Sequence, residues 1–332
     1  MCALKIGGVD VENPIFLAPM AGVTVSAVRR LFRRMGVALT HSEMVSSTGL
    51  IFGGKKTLNI TEYTDIEQPM VLQLFDGDVD RLCKSAELCL KAHSYAALGI
   101  NMACPMPKIL KRGAGSKLLQ NPDVASKMVH ELKRFGLPVW PKIRKVVPDG
   151  KIYPLSTVDI TEKLIEAGAD NVAIHGRTPA QRYEGIADKN EVLSVAQKFP
   201  SMVTATGDVF SADDVKFYLD GGCAAVLLAR GAVANPFIAA QSLRSLGYNT
   251  TFVGDDMPIE KRAELLIDFA NDIKNIHGEN FALVLIRRFT PGFFKEKSGV
   301  GDFKRALAVV RDWETMYRLL LDWRSYFERG AI

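Results

Sequence analysis

Cysteine is scarce in this chain and badly placed for cross-linking. Five cysteines (Cys2, Cys83, Cys89, Cys104 and Cys223) are scattered over 332 residues, odd in number and without a C-x-x-C pair. That pattern excludes a disulfide framework, a zinc ribbon and an iron–sulfur cluster, and leaves a reactive thiol as the one special role for a cysteine. No β-rich run is followed by G-x-G-x-x-G, so a Rossmann domain is excluded. The nearest approach to a phosphate loop is Gly49 to Lys55, but Lys56 stands where Ser or Thr would hold magnesium. No run approaches the roughly 18 uninterrupted apolar residues of a membrane span. The start, MCALKIGGVDVENP, lacks the basic segment, apolar run and cleavage site of a secretory signal, which predicts a cytoplasmic setting. Histidine is also rare, and no His or carboxylate shares metal-ligand spacing with His175, so no metal is expected. Net charge is small, +5 from 42 Lys/Arg and 37 Asp/Glu, but ten Lys/Arg face six Asp/Glu from Phe281 to Ile332. That local excess is compatible with a polyanionic partner.

What the chain does have is repetition. Eight short apolar runs, PIFLA from Pro14, LTHSEM from Leu39, MVLQLF from Met70, LGINM from Leu98, VWPKIR from Val139, NVAIH from Asn171, MVTAT from Met202 and AAVLLA from Ala224, alternate with amphipathic segments. Several of those segments open on Ser, Thr or Asp and close on Gly, as helices do. Alternation of this kind implies a parallel sheet, and eight units favour a closed barrel. Beyond the polar stretch at residues 246 to 258 the pattern is purely helical. The expected fold class is therefore α/β, a (β/α)8 TIM barrel over residues 1–249, followed by a smaller all-α domain over 250–332.

In such barrels the active site forms where strands end and loops begin. Here the ends carry Pro19-Met20-Ala21-Gly22, Ser42-Glu43-Met44, Gln73, Asn101-Met102-Ala103-Cys104, Lys142 with Arg144, His175-Gly176-Arg177, Thr206-Gly207-Asp208 and Ala229-Arg230-Gly231. One such ending is ordinarily structural; eight together are hard to explain as packing. The last two are glycine turns, where barrels often bind phosphate, with Arg230 as a charged clamp. A lone cysteine is usually a small buried hydrophobe, the reading given to Cys83, Cys89 and Cys223. Cys104 differs because it opens a basic loop with Lys108, Lys111, Arg112 and Lys117, which contains no acid. A charge run is usually just a solvated face, and RNA phosphate is the alternative. Arg177, Gln181, Arg182 and Tyr183 form a polar loop suited to a base or backbone contact. In the helical part Arg287, Arg288, Lys295, Lys297, Lys304 and Arg305 alternate with Phe289, Phe293, Phe294 and Phe303, as an RNA surface or as core.

The segments PMAGVT, QLFDGD, NMACPMPKILKRGAGSKLL, KIR, IHGRTPAQRYEGIAD, TGDVFSADD and ARGAVANPF occur in the order seen in the tRNA-dihydrouridine synthases. The chain resembles that family over residues 14 to 240, and more loosely through RRFTPGFFKEKSGVGDFKRAL. The resemblance implies an FMN-binding barrel, a helical RNA-binding domain, NADPH as reductant, and reduction of the C5–C6 bond of uridines in folded RNA, with tRNA the expected partner and a monomer the expected state. It implies Pro19, Met20 and Ala21 along the flavin, Gln73 and Lys142 bonded to its ring, and His175 against flavin or base. Thr206, Gly207, Asp208, Ala229 and Arg230 fall near its phosphate. Asn101 would hold the uracil, Arg144, Arg177, Lys108, Arg112, Arg287 and Arg288 would meet substrate or RNA, and Cys104 would be the catalytic acid. The chain departs from the family at Thr206 (usually Asn), at Ala229 (usually Gly), and at TPGFF, where an aromatic pair is common. Three alternatives stay open: a barrel resembling dihydroorotate dehydrogenases that acts on a small ring compound, a dihydrouridine synthase acting on ribosomal RNA, and a non-catalytic RNA-binding protein.

Overall fold

Each of the eight apolar runs becomes a strand of one parallel sheet. The computed structural model describes residues 4–250, 257–295 and 300–328. Part of the polar stretch where the sequence pattern changes (251–256), Cys2 and Lys297 lie outside the described residues. A small antiparallel hairpin, β1 (Leu4–Ile6) and β2 (Val9–Val11), comes first. The barrel strands follow: β3 (Ile15–Leu17), β4 (Thr40–His41) with its short continuation β5 (Val45–Ser46), β6 (Met70–Phe75), and β7 (Ala97–Met102). The remaining four are β8 (Val139–Arg144), β9 (Val172–His175), β10 (Val203–Thr206) and β11 (Ala225–Leu228). Neighbours run β3-β11-β10-β9-β8-β7-β6-β4. The circle closes where Phe16 bridges Leu39 and the Leu17 N–H donates to the Leu39 carbonyl at 2.9 Å.

The strands read as continuous apolar runs because helices cover their outer faces while side chains fill the barrel, so both faces are buried. All six residues of β6 and all six of β7 are buried. The helix starts are set by side-chain caps: Asp78, Asn121 and Asp188 accept from backbone N–H groups, and Ser156 and Ser211 form capping boxes with Asp159 and Asp214. The run LTHSEM is interrupted rather than one strand. Ser42 Oγ accepts the Gln73 N–H at 2.9 Å, taking the place of a ladder carbonyl, so Glu43 and Met44 leave the sheet toward the barrel mouth. At the opposite end the hairpin plugs the barrel. Trp140 Nε1 donates to the Gly7 carbonyl at 2.8 Å, and Gly7 (φ +52°) has no space for a Cβ, which would sit 2.6 Å from that nitrogen.

The C-terminal part is helical, with helices at Ile238–Ser245, Ile259–His277, Glu279–Phe293, Gly301–Val309 and Trp313–Glu328. It shares one apolar core with the barrel: Phe289 meets Phe32 at 6.4 Å between ring centres, and Phe293 meets Phe237 at 5.8 Å. Phe289, Phe293, Phe294 and Phe303 are all at most 1% exposed. These aromatics are core, so any RNA contact by this segment falls to its cations. Arg288, Lys295 and Arg305 are exposed, and Arg287 and Lys304 are half-buried.

A buried ion pair fixes the first barrel helix. Arg29 Nε donates to Glu67 Oε2 at 2.6 Å, and its Nη atoms donate to the Thr24 and Glu62 carbonyls. Glu67 Oε1 accepts from Ser26, from the Thr64 N–H and from the Thr64 hydroxyl. Removing one member of such a pair strands the other in a dry interior. Glu67→Ala is therefore expected to cost about 3–5 kcal/mol, measured by urea unfolding; a loss below about 1 kcal/mol would mean that water reaches Arg29.

Candidate active site

Where the strands end, the barrel opens into a cavity of about 620 Å³. Its wall contains most of the residues singled out from the sequence: Pro19, Met20 and Ala21 after β3, Lys142 in β8, and His175 at the end of β9. Thr206, Gly207 and Asp208 come from the end of β10, and Ala229 and Arg230 from the end of β11. Asn101, Cys104, Lys108 and Arg144 line it as well. Four do not. Gln73 is buried behind the wall, Arg112 is exposed on the loop after β7, and Arg287 and Arg288 belong to the helix Glu279–Phe293. Arg177 also stands behind the wall, 2% exposed, beneath His175 and Asp208.

The loop carrying Cys104 is held from several sides. Asn101 Oδ1 accepts the N–H groups of Ala103 at 3.1 Å and Cys104 at 2.9 Å, and its Nδ2 donates to Gln73 Oε1 at 2.9 Å. Asn101 thus spends its carbonyl on the loop and one N–H on Gln73. The Cys104 carbonyl accepts from the Ser116 N–H at 3.0 Å and the Ser116 hydroxyl at 3.2 Å. Gly115 (φ +63°) brings this second turn close enough that a Cβ would stand 2.5 Å from the Cys104 carbonyl oxygen. The turn GAGS, which matches no phosphate-loop motif, is the clamp of the reactive loop. Burial raises the Cys104 thiol, partly offset by the Met106 N–H and by Arg144 and Lys142. The sulfur is a thiol at neutral pH.

Cations dominate the rest of the wall. Lys142 Nζ has no hydrogen-bond or ion-pair partner among the described residues; burial, then Arg144, lowers it to about 7. Arg144 Nε donates to the Ala103 carbonyl at 2.7 Å, and its Nη1 donates to the carbonyls of Thr178 and Arg182. Its guanidinium lies 5.5 Å from the Tyr183 ring, and Arg230 lies 5.7 Å from the same ring and 5.8 Å from that of Phe210. Guanidinium and aromatic groups therefore alternate along one wall. Burial, then Lys142 and the three arginines 144, 177 and 230, drives His175 down to about 2. The ring is neutral. Asp208 accepts from Arg177 and Arg230, which with the Ala187 N–H keep it ionised against the opposing cost of burial.

Met44, named at the end of the second run, also lines the cavity, as does Phe210, which sequence reasoning missed. Met44 arrives there only because the sheet breaks at Ser42. Phe210 is an exposed aromatic on a loop, and nothing in its spacing marks it. Gly231, read as a close approach for a ligand, lines the cavity and is also required by the protein itself: a Cβ would lie 1.9 Å from the Val209 carbonyl oxygen. Among the described residues no group of three or more His, Cys, Asp or Glu could hold a metal ion, and no helix is long and apolar enough to cross a membrane. Cys83, Cys89 and Cys223 are buried free thiols in the core.

Comparison with known proteins places these residues in a family. The family model described as "Dihydrouridine synthase (Dus)" matches residues 16–320. A "Probable tRNA-dihydrouridine synthase 1" of Synechocystis sp. is 34% identical over 242 residues, 72% of this chain and 66% of that protein. The "tRNA-dihydrouridine synthase B" of Pasteurella multocida is 32% identical over 312 residues, 93% of this chain and 92% of that one. That of Vibrio cholerae is 26% identical over 330 residues, covering 99% and 100%. A solved BexX/CysO complex of Amycolatopsis orientalis, 16% identical with a TM-score of 0.49 over 76% of this chain, is too distant to carry an argument. With a match that runs through every barrel strand and on into the C-terminal helices, the chain belongs to the dihydrouridine synthase family.

Proposed function

We propose that this chain reduces the C5–C6 double bond of uridines in tRNA, using FMN and NADPH, as a monomer in the cytoplasm. The observation that carries the reading is one cavity holding both a half-buried neutral thiol, Cys104, and a half-buried lysine without a described partner, Lys142. The cavity also fits a flavin mononucleotide by the chemistry of its donors. The Lys142 amine suits the carbonyl-bearing edge of the ring, where negative charge gathers on reduction, Pro19, Met20 and Ala21 give an apolar wall for a flat ring, and Arg230 supplies a cation at the rim for a phosphate. Bound there, FMN would supply the hydride that the reduction needs at C6, with NADPH restoring its electrons.

The chain's own residues do the rest. Cys104 Sγ holds the proton that completes the reduction at C5, and its raised thiol keeps that proton in place at neutral pH. Asn101 and Ser116 fix the loop so that the sulfur faces the cavity. Lys142 and His175 stabilise negative charge as it develops on a uracil carbonyl, Lys142 by charge and His175 as a neutral hydrogen-bond donor. A stacked base cannot enter the cavity, so the target uridine is turned out of its stack, at least cost in a loop. Lys108, Arg112, Arg287 and Arg288 supply cations for the RNA backbone around it.

The test is mass spectrometry of nucleosides from transfer and ribosomal RNA of cells with and without the gene, mapped for dihydrouridine. Loss of the modification at one tRNA position is the expected result. Loss in ribosomal RNA alone would move the substrate, and unchanged RNA would favour a small ring compound instead.

A further inference from the structure

His175 ends β9 with one ring edge packed on the protein. A Cβ on Gly207 would lie 2.6 Å from His175 Cδ2 and 3.1 Å from Nε2, so that edge has a close backbone neighbour. Arg177 Nη1 stands 3.4 Å from Nε2. A guanidinium accepts no hydrogen bond and keeps its protons in proteins, so Nε2 is the acceptor of this pair and the ring proton resides on Nδ1. In the familiar carboxylate–imidazole pair the acid touches the ring and favours its charged form. Here an arginine stands between them, and the sign of the influence is reversed.

Asp208 holds that arginine. Its Oδ1 accepts from Arg177 Nη1 at 2.8 Å and its Oδ2 from Nη2 at 2.7 Å, a two-point grip. The Glu184 and Gly185 carbonyls take further Arg177 donors at 3.0 and 2.6 Å, which leaves the guanidinium little freedom. Asp208 also accepts the Ala187 N–H and Arg230 Nη2, each at 2.8 Å. It does all this from a left-handed backbone conformation, φ +49°, which a side chain other than glycine seldom adopts. The charged groups that face His175 are Lys142, Arg144, Arg177 and Arg230, and Asp208 is the carboxylate that balances two of them. Cys104 and Tyr183 are the other titratable groups on the cavity wall nearby.

We propose that Asp208 is a positioning residue whose carboxylate locks Arg177 onto His175 Nε2, so that His175 serves as a neutral ring donating from Nδ1 and never as an acid. The proposal rests on the uridine-reductase reading only for its consequence: a ring held this way leaves proton delivery to Cys104. Arg230, gripped by the same carboxylate, is set at the mouth by the same device.

The test reads protonation directly and does not depend on turnover. Long-range proton–nitrogen correlation spectra of the full chain, labelled with nitrogen-15 and supplied with FMN, report the tautomer of each imidazole. The spectrum of His175→Gln identifies the signal that belongs to His175. The expected wild-type result is an unprotonated Nε2, a protonated Nδ1, and no titration from about pH 5 to 8. In Asp208→Asn the ring is expected to stay neutral through that window and to shift its proton to Nε2, because the carboxylate that aims Arg177 at that nitrogen is gone. A wild-type ring that is protonated at Nε2, or that titrates in the window, overturns the proposal whether or not any variant folds. An Asp208→Asn spectrum identical to wild type overturns the role of Asp208. A chain that forms no dihydrouridine would leave these spectra unchanged, so failure of the functional reading is distinguishable from failure of this one.

Discussion

Cys104→Ala is expected to lower dihydrouridine formation in single-turnover assays by about 100-fold, or some 2.7 kcal/mol of barrier. The loss follows from position rather than from residue type. Cys83, Cys89 and Cys223 are buried in apolar packing, Cys89 and Cys223 pushed up to about 12, and none of the three lines the cavity. Cys104 lines it, on a loop pinned by Asn101 and Ser116. Cys104→Ser is expected to fall nearly as far, since a serine hydroxyl gives up its proton far less readily than a thiol. Flavin binding and flavin reduction should survive both changes, because Asn101 and Ser116 hold the loop through Cys104 backbone groups, and the sulfur takes the Met106 N–H of that same loop. The pH dependence has a definite sign. An acid whose affinity for its proton is raised by burial stays loaded through the neutral range, so the Cys104-dependent rate is flat there and falls only as alkali removes the proton. A variant with unchanged single-turnover yield would remove the acid assignment, and a rate that fell on the acid side would assign the pH profile to another group.

How far the sequence carried is instructive element by element. The eight runs were legible because helices and barrel interior bury both faces of a strand, which leaves an uninterrupted apolar signature. Cys104, Lys142 and His175 were legible because strand ends mark the catalytic rim of a barrel, and the motifs that carry the family resemblance agree. Gln73 and Asn101 were placed correctly on their strands, but periodicity does not reveal that they bond to each other and that Asn101 spends its carbonyl on the Cys104 loop. Met44 was named at its strand end, but how it reaches the cavity was not legible, because that depends on a hydroxyl, Ser42 Oγ, standing in for a carbonyl of a neighbouring strand. Gly231 reads as room for a ligand in the sequence and also makes room for a carbonyl oxygen of the chain itself, as Gly115 does where the Cys104 loop is clamped. In the helical part, alternating Arg and Phe reads equally well as an RNA face or as core with a solvated rim, and only packing against Phe32 and Phe237 separates the two.

Lys142→Met is expected to abolish most activity while making the ligand-free chain more stable, and the two effects share one cause. The amine is buried without a described partner in a wall that also contains Arg144, so the empty fold bears the cost of an uncompensated charge. Methionine matches its length without the charge and packs against the same apolar neighbours. The proton balance gives the sign for stability. Lys142 is lowered from 10.5 to about 7 in the folded chain, so between those values the unfolded chain binds the extra proton. Wild-type stability therefore rises with pH through that window, and the Met variant loses that slope. At pH 7 the variant should melt higher by about 2–4 °C for each kcal/mol recovered. Activity moves the other way. A positive charge aimed at an oxygen that becomes negative during reduction is worth about 10²–10³ in rate, and Lys142→Met should lose that much even with cofactor saturating. Thermal melts from pH 7 to 10, run beside single-turnover assays, test both halves. A less stable variant would show that Lys142 has a partner in the empty site, and an active one would show that the developing charge is met elsewhere.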